Sequence, residues 1–233
     1  WRNALGVDQL NVIVEKLRKN PLDRQAVLQM WQAEDDTCQD LEGKWRDRPC
    51  NTHAYFRIRG TERAPAGDWY DDGAQCLVLD MTVCCRSNDM VFGGYGANAV
   101  HFSVLQEYLA ARIGAEVGTY TQVSNNFHVY QDVWENTRPL QSDIWVGDLA
   151  PEPMFTVPDR IDADLETFFE WHDRQWARHD FEALPGEFHN VWFRETAYLT
   201  AAAWFQHKLK NRTGAVARAS GISSPDWRRA CLD

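Results

Sequence analysis

Leu10, Ile13, Val14 and Leu17 recur at helical spacing behind Asp8, which predicts an amphipathic helix capped by Asp8 and ended at Asn20-Pro21. A buried strand is expected over Ala26–Trp31. Residues 34–48 run acidic and then basic with no period. From 54 to 58 the pattern alternates, with Ala54, Phe56 and Ile58 inward against Tyr55 and Arg57 outward, so a strand begins just after Cys50. The glycine-containing, acidic stretch Gly60–Gly73 reads as a solvated hairpin loop, and Leu77, Leu79, Met81 and Val83 mark the strand that follows. From Asn98 the period turns helical, with Val100, Val104, Leu105, Tyr108, Leu109 and Ile113 on one face and Gly114 placed to end it. Val117–Tyr130, rich in Thr, Val and aromatics, reads as another strand. Pro151, Pro153 and Pro158 then break the chain before a helical final third, where Leu165–Trp176 and Glu195–Leu209 are the clearest helices. This order predicts an α/β or α+β fold with a mixed sheet and a long buried central helix. A single domain over residues 1–233 is expected, with 159–233 as a helical extension.

Composition narrows the chemistry. With 233 residues and 44% hydrophobic content the chain can bury a sizeable core, which also accounts for most of its eleven Trp, eleven Phe and seven Tyr. A net charge of −10 argues against nucleic acid as a partner, so any anionic ligand must be small and held locally. No apolar run reaches membrane-spanning length, and the six cysteines show no CxxC pair, so a reducing cytoplasm is the expected location and no membrane partner is expected. His172, His179, His189 and His207 lack a matching cysteine or an HExxH pattern, so no metal site is expected.

Cys50 follows Pro49 and lies close to Arg46 and Arg48, whose charges favour a thiolate and so a nucleophile. Further along come Arg86-Ser87, a guanidinium fork and a hydroxyl suited to a phosphate. Asp89 and the run Gly93-Gly94-Tyr95-Gly96-Ala97-Asn98 follow. That run lacks the lysine-threonine ending of a phosphate loop, and its glycines suit a close backbone approach to a base. His128 and Tyr130 alternate as residues of one strand face do.

Taken together, these residues resemble the thymidylate synthase and pyrimidine nucleotide 5-hydroxymethylase family, over Trp1 to about Tyr130. The resemblance implies a thymidylate synthase-like fold and covalent attack by Cys50 on C6 of a pyrimidine nucleoside monophosphate, with one carbon delivered to C5 from 5,10-methylenetetrahydrofolate. It implies phosphate contacts from Arg86, Ser87 and Arg24, base reading by Asn98, and sugar contacts from His128 and Tyr130. On the folate side it implies Asp89, Trp1 and Gly93. Arg24 would reach across a homodimer interface. Asn51 stands where the family usually has histidine, Gln25 replaces a frequent second arginine, and the family's water-organising glutamate has no match. The favoured product is the 5-hydroxymethyl nucleotide; thymidylate synthase and an inactive nucleotide-binding relative are the alternatives.

Overall fold

The computed structural model describes residues 6–32, 36, 48–61, 76–137, 152–178 and 186–232. They belong to two compact units, Trp1–Ser142 and Asp143–Asp233.

The first unit opens with α1 (Gln9–Lys19). Asp8 Oδ1 accepts from the Asn11 N–H at 3.2 Å, and Lys16, Arg18 and Lys19 complement the dipole of the last turn. Strands β1 (Val27–Gln29), β2 (Asn51–Thr61), β3 (Cys76–Cys85) and β5 (Glu116–Ser124) form one mixed sheet in the order β1-β2-β3-β5. β1 and β2 run antiparallel, as do β2 and β3, whereas β3 and β5 are parallel and joined through α2 (Ala97–Ile113). The alternation in the sequence holds: Ala54, Phe56, Ile58, Leu79, Met81 and Val83 are buried against α1 and α2 with Ile13, Val14 and Leu17. β1 departs from expectation, being a three-residue edge strand in which only Leu28 points inward and Val27 and Gln29 are exposed.

The buried face of α2 extends beyond the expected residues: Leu109 is buried and Leu105, Tyr108 and Ile113 pack against the core as expected, and others join them. Phe102, Gln106 and Ala110 are also buried, while Val100 is exposed. For Gln106 the cause lies in the sheet. The β3–β5 ladder is interrupted between Leu79 and Met81, which strands backbone carbonyls, and Gln106 Nε2 donates to Leu79 O at 2.7 Å and Thr119 O at 3.3 Å. On the opposite face Asp80 Oδ1 accepts from the Thr119 N–H at 2.9 Å, with Arg59 bound to the same carboxylate through Nε and Nη2. As expected, Gly114 ends α2 in the left-handed region, at φ 84°.

The expected strand over Val117–Tyr130 is broken. β3 and β5 pair as far as Cys85 and Ser124, both chains jog, and pairing resumes as a short parallel ladder between β4 (Asn88–Asp89) and β6 (Phe127–His128). Bonds from Asn125 N to Cys85 O (3.0 Å) and from Asn88 N to Asn126 O (2.8 Å) tie the two jogs together. A π-helical turn, Met90–Gly94, leads from β4 toward α2, and α3 (Gln131–Thr137) follows β6.

The second unit is helical in its described residues: α4 (Ile161–Arg178), a π-helical turn Phe193–Ala197 running into α5 (Tyr198–Lys208), α6 (Arg212–Ser220) and α7 (Pro225–Leu232). Trp171 of α4 packs edge-on against Tyr198 of α5, with ring centres 5.1 Å apart. Buried Asp164 accepts from the backbone N–H groups of His189 and Asn190, from Asn190 Nδ2 and from His189 Nδ1. Burial alone would raise the Asp164 carboxyl, but these bonds hold it below its ordinary value.

Candidate active site

The jog after β3 builds the site. By interrupting the ladder it frees Arg86 and Ser87 from strand pairing, and the side chain of Arg86 turns to the segment before β2. Arg86 Nε donates to Pro49 O and Nη2 to Arg48 O, both at 3.1 Å, and the Arg86 N–H donates to Cys50 O at 2.9 Å. The guanidinium also lies over the Trp31 ring, 5.3 Å from its centre. Arg86 therefore braces the turn that carries Cys50, whose free thiol is exposed. The guanidinium has five N–H groups, of which these two carbonyls take two.

Cys85, the last residue of β3, is a second thiol in this neighbourhood. Burial pushes it up, the nearby Cys50 and Cys84 add to the effect, and a bond with Ser124 opposes it. It stays protonated and donates from Sγ to Asn51 Oδ1 at 3.0 Å. Asn51 in turn reaches Asn98: its Nδ2 donates to Asn98 Oδ1 at 3.3 Å. Asn98 Nδ2 donates to Asn88 Oδ1 at 3.0 Å, and Asn88 Nδ2 donates to Gln122 Oε1 at 2.8 Å and Ser124 Oγ at 3.1 Å. Gln122 Nε2 finally donates to Gly94 O at 3.3 Å.

Gly93 is buried in the π-helical turn because this amide run passes over it. A Cβ there would lie 2.1 Å from Asn88 Oδ1 and 3.0 Å from Asn98 Nδ2. The close neighbour of Gly93 in this structure is thus the Asn88 amide. A cleft of about 450 Å³ opens beside it, within the usual range for small-molecule sites. Among the described residues its walls are Asn88, Gly94, Tyr95, Ala99, Tyr120, Gln122, Ser124 and Phe127; Cys50 and Arg86 are not among them. Burial raises the Tyr120 phenol well above its ordinary value, so it is neutral at pH 7.

Asp89 has two roles in its two oxygens. Oδ1 caps the π-helical turn, accepting from the N–H groups of Val91 (2.9 Å) and Phe92 (2.6 Å). Oδ2 is buried without a hydrogen-bond partner among the described residues, an acceptor suited to a ring N–H. Its ladder partner is His128, whose Nδ1 is likewise buried and unpartnered, and whose ring meets Tyr130 edge-on at 5.3 Å.

The structure thus gathers Cys50 with Arg86, Asn98 with Asn51 and Asn88, and Asp89 with His128 and Tyr130. Ser87 is half-buried at the jog. Arg24 is exposed at a bend between α1 and β1, where Asp23 Oδ1 accepts from the Gln25 N–H at 2.6 Å. Trp1 and Arg46 lie outside the described residues. Sequence reasoning missed Asn88, Gln122 and Ser124, and gave Asn51 no role. A signal for two of them exists, since Tyr120, Gln122 and Ser124 alternate along β5 and share its inward face.

Among the described residues no group of three or more His, Cys, Asp or Glu is placed to hold a metal, and no helix is long and apolar enough to cross a membrane.

Residues 1–144 match the family model described as thymidylate synthase. The chain is 35% identical, over 100% of its length, to a deoxyuridylate hydroxymethyltransferase of Pseudomonas phage M6, of which it covers 63%. It is 34% identical over 54% of its length to the deoxyuridylate hydroxymethyltransferase of Bacillus phage SP01, covering 28% of that protein. A thymidylate synthase of Lactococcus lactis is 30% identical over 68% of this chain, which covers 51% of that enzyme. The chain therefore spans less than two thirds of the length of each of these relatives. With more than half of its residues matching the family model, and with the mixed sheet and the Pro-Cys turn in place, the chain belongs to the thymidylate synthase family.

Proposed function

We propose that this protein transfers one carbon to C5 of a pyrimidine nucleoside monophosphate, with dUMP as substrate and the 5-hydroxymethyl nucleotide as product. The observation that carries this reading is the 35% identity along the whole chain to a deoxyuridylate hydroxymethyltransferase. The site supports it, because an exposed thiol at position 50 sits on a turn braced by Arg86.

In this reading Cys50 Sγ adds as thiolate to C6 of the base, making C5 nucleophilic. 5,10-Methylenetetrahydrofolate supplies the carbon at the oxidation level of formaldehyde. The unpartnered Asp89 Oδ2 fits a pterin ring N–H, with Gly93 and Trp1 on the same side in the family pattern. Once C5 has gained the carbon and lost its proton, the C–N bond to tetrahydrofolate breaks and frees that amine, hydroxide from water adds to the exocyclic carbon, and restoring the C5–C6 double bond expels the Cys50 thiolate. Arg86 and Ser87 hold the phosphate, Asn98 reads the base, and His128 with Tyr130 holds the sugar.

The outward face of the sheet carries exposed Val27, Tyr55 and Val123, an apolar surface that a second copy of the chain would cover. Arg24 precedes Val27 on the loop leading to that face and would reach the partner's phosphate from there.

The test is release of tritium from C5 of labelled dUMP, dCMP and CMP in the presence of methylenetetrahydrofolate, with the product mass recorded. The reading expects release from dUMP and a hydroxymethyl product, with release abolished and dUMP binding retained in Cys50→Ser. A methyl product would instead assign thymidylate synthase activity, which the similarity to the Lactococcus enzyme favours as the second reading. Binding without release from any of the three bases would identify an inactive relative.

A further inference from the structure

A carboxamide has a donor end and an acceptor end, and which is which is fixed only by its partners. Here a run of four amides is anchored at both ends. Gly94 O can only accept, so Gln122 turns its Nε2 toward it and its Oε1 toward Asn88. Asn88 must then offer Nδ2 to Gln122 and Oδ1 to Asn98, which leaves Asn98 Nδ2 facing Asn88 and Asn98 Oδ1 facing Asn51. At the far end the Cys85 S–H is a donor, so Asn51 presents Oδ1 to it and Nδ2 to Asn98. Both ends impose the same sense on every amide between them.

We propose that Asn51 and Asn88 are positioning residues that lock the Asn98 amide in one orientation, and that this lock makes the site select uracil over cytosine nucleotides. The inference rests on Asn98 being the base reader of the proposed function. After its bonds to Asn51 and Asn88, Asn98 keeps one Oδ1 lone pair and one Nδ2 hydrogen. Those match the N3–H and O4 of uracil. Cytosine presents the reverse, an acceptor at N3 and a donor at the 4-amino group, and in the same pose it needs the amide turned over. Turning Asn98 alone sets oxygen against Asn88 Oδ1 and nitrogen against Asn51 Nδ2. Turning the whole run aims Gln122 Oε1 at Gly94 O. Either way cytosine is penalised by groups that never touch it, and a substitution that replaces the family's usual histidine acquires a function.

The test compares equilibrium binding of dUMP and dCMP to the full chain by calorimetry, in wild type, Asn51→Asp, Asn88→Asp and Asn51→Leu. Wild type is expected to bind dUMP at least about tenfold more tightly than dCMP, on the order of one to two hydrogen bonds of discrimination. An acceptor-only side chain at 51 draws Asn98 Nδ2 toward itself and inverts the preference. The same substitution at 88 leaves the acceptor that Asn98 Nδ2 already uses, so the preference is kept or sharpened. Each aspartate variant adds one negative charge, so a general charge effect moves both ratios in one direction, and that result would overturn the lock. Asn51→Leu, which adds no charge, lowers the ratio about tenfold without inverting it, and serves if either aspartate variant fails to fold. Unchanged ratios also overturn the lock while leaving the site assignment standing. Failure of wild type to bind either nucleotide removes the site assignment itself.

Discussion

Replacing Gly93 by alanine puts the amide run under direct load. The added Cβ would stand 2.1 Å from Asn88 Oδ1, where ordinary contact begins at 3.4 Å, so one of the two must move by more than an ångström. Asn88 is 1% exposed and bonded to Asn98, Gln122 and Ser124, so its withdrawal breaks three hydrogen bonds worth about 0.5–1.5 kcal/mol each. If the π-helical turn yields instead, overpacking costs about 1–3 kcal/mol. The cheaper route governs, which gives an expected loss of about 2 kcal/mol in a urea titration. Either displacement disturbs the amide run, at Asn88 or at the Gly94 carbonyl that ends it, so the hold on Asn98 loosens and the dUMP dissociation constant rises about tenfold. Gly221→Ala is the control: at φ −84° its added Cβ meets nothing closer than 3.4 Å, and its stability stays within about 0.5 kcal/mol of wild type. A Gly93→Ala protein with the wild-type midpoint and the wild-type affinity would refute both the packing argument and the coupling of Asn88 to base binding.

Arg86→Lys keeps the charge but not the planar fork that grips Pro49 O and Arg48 O, so tritium release should fall about 10–100-fold even at saturating nucleotide, as single-turnover rates would show. Asp80, bonded to Arg59 and to the Thr119 N–H, has a lowered pKa, so its stabilisation is present above the ordinary carboxylate value and is lost as pH falls through the lower folded value. Urea midpoints should therefore drop below about pH 4, and Asp80→Asn should flatten that drop. Asp164→Asn turns an NH2 group toward two of the four donors around that carboxylate, and thermal unfolding should show a loss of about 2–4 kcal/mol in the Asp143–Asp233 unit.

The alternating strands around Phe56 and Met81, the capped α1 and the glycine end of α2 were legible because a local pattern or a single residue's chemistry decides each of them. β1 was legible as a strand but not in its length or exposure, because an edge strand of three residues takes its burial from its neighbours. One member of the buried face of α2 was missed for a related reason: Gln106 is buried by the need of the interrupted ladder for a donor, a need that exists only after β3 and β5 have paired. The site divides along the same line. Cys50, Arg86, Asp89 and Asn98 belong to recognisable stretches, and in the structure Arg86 bonds to the turn that carries Cys50.

What the sequence could not reveal is how their orientations are fixed, because that information sits in pairs far apart along the chain: Arg86 with Pro49, Asn51 with Asn98, Asn88 with Gln122. An amide read in isolation accepts either uracil or cytosine, since rotation about one bond exchanges its donor and acceptor. Only when a carbonyl at Gly94 and a thiol at Cys85 terminate the run does one orientation win at Asn98. Residues that never reach the base then enter its discrimination, because an error at Asn98 must be absorbed as a broken bond somewhere between those two ends.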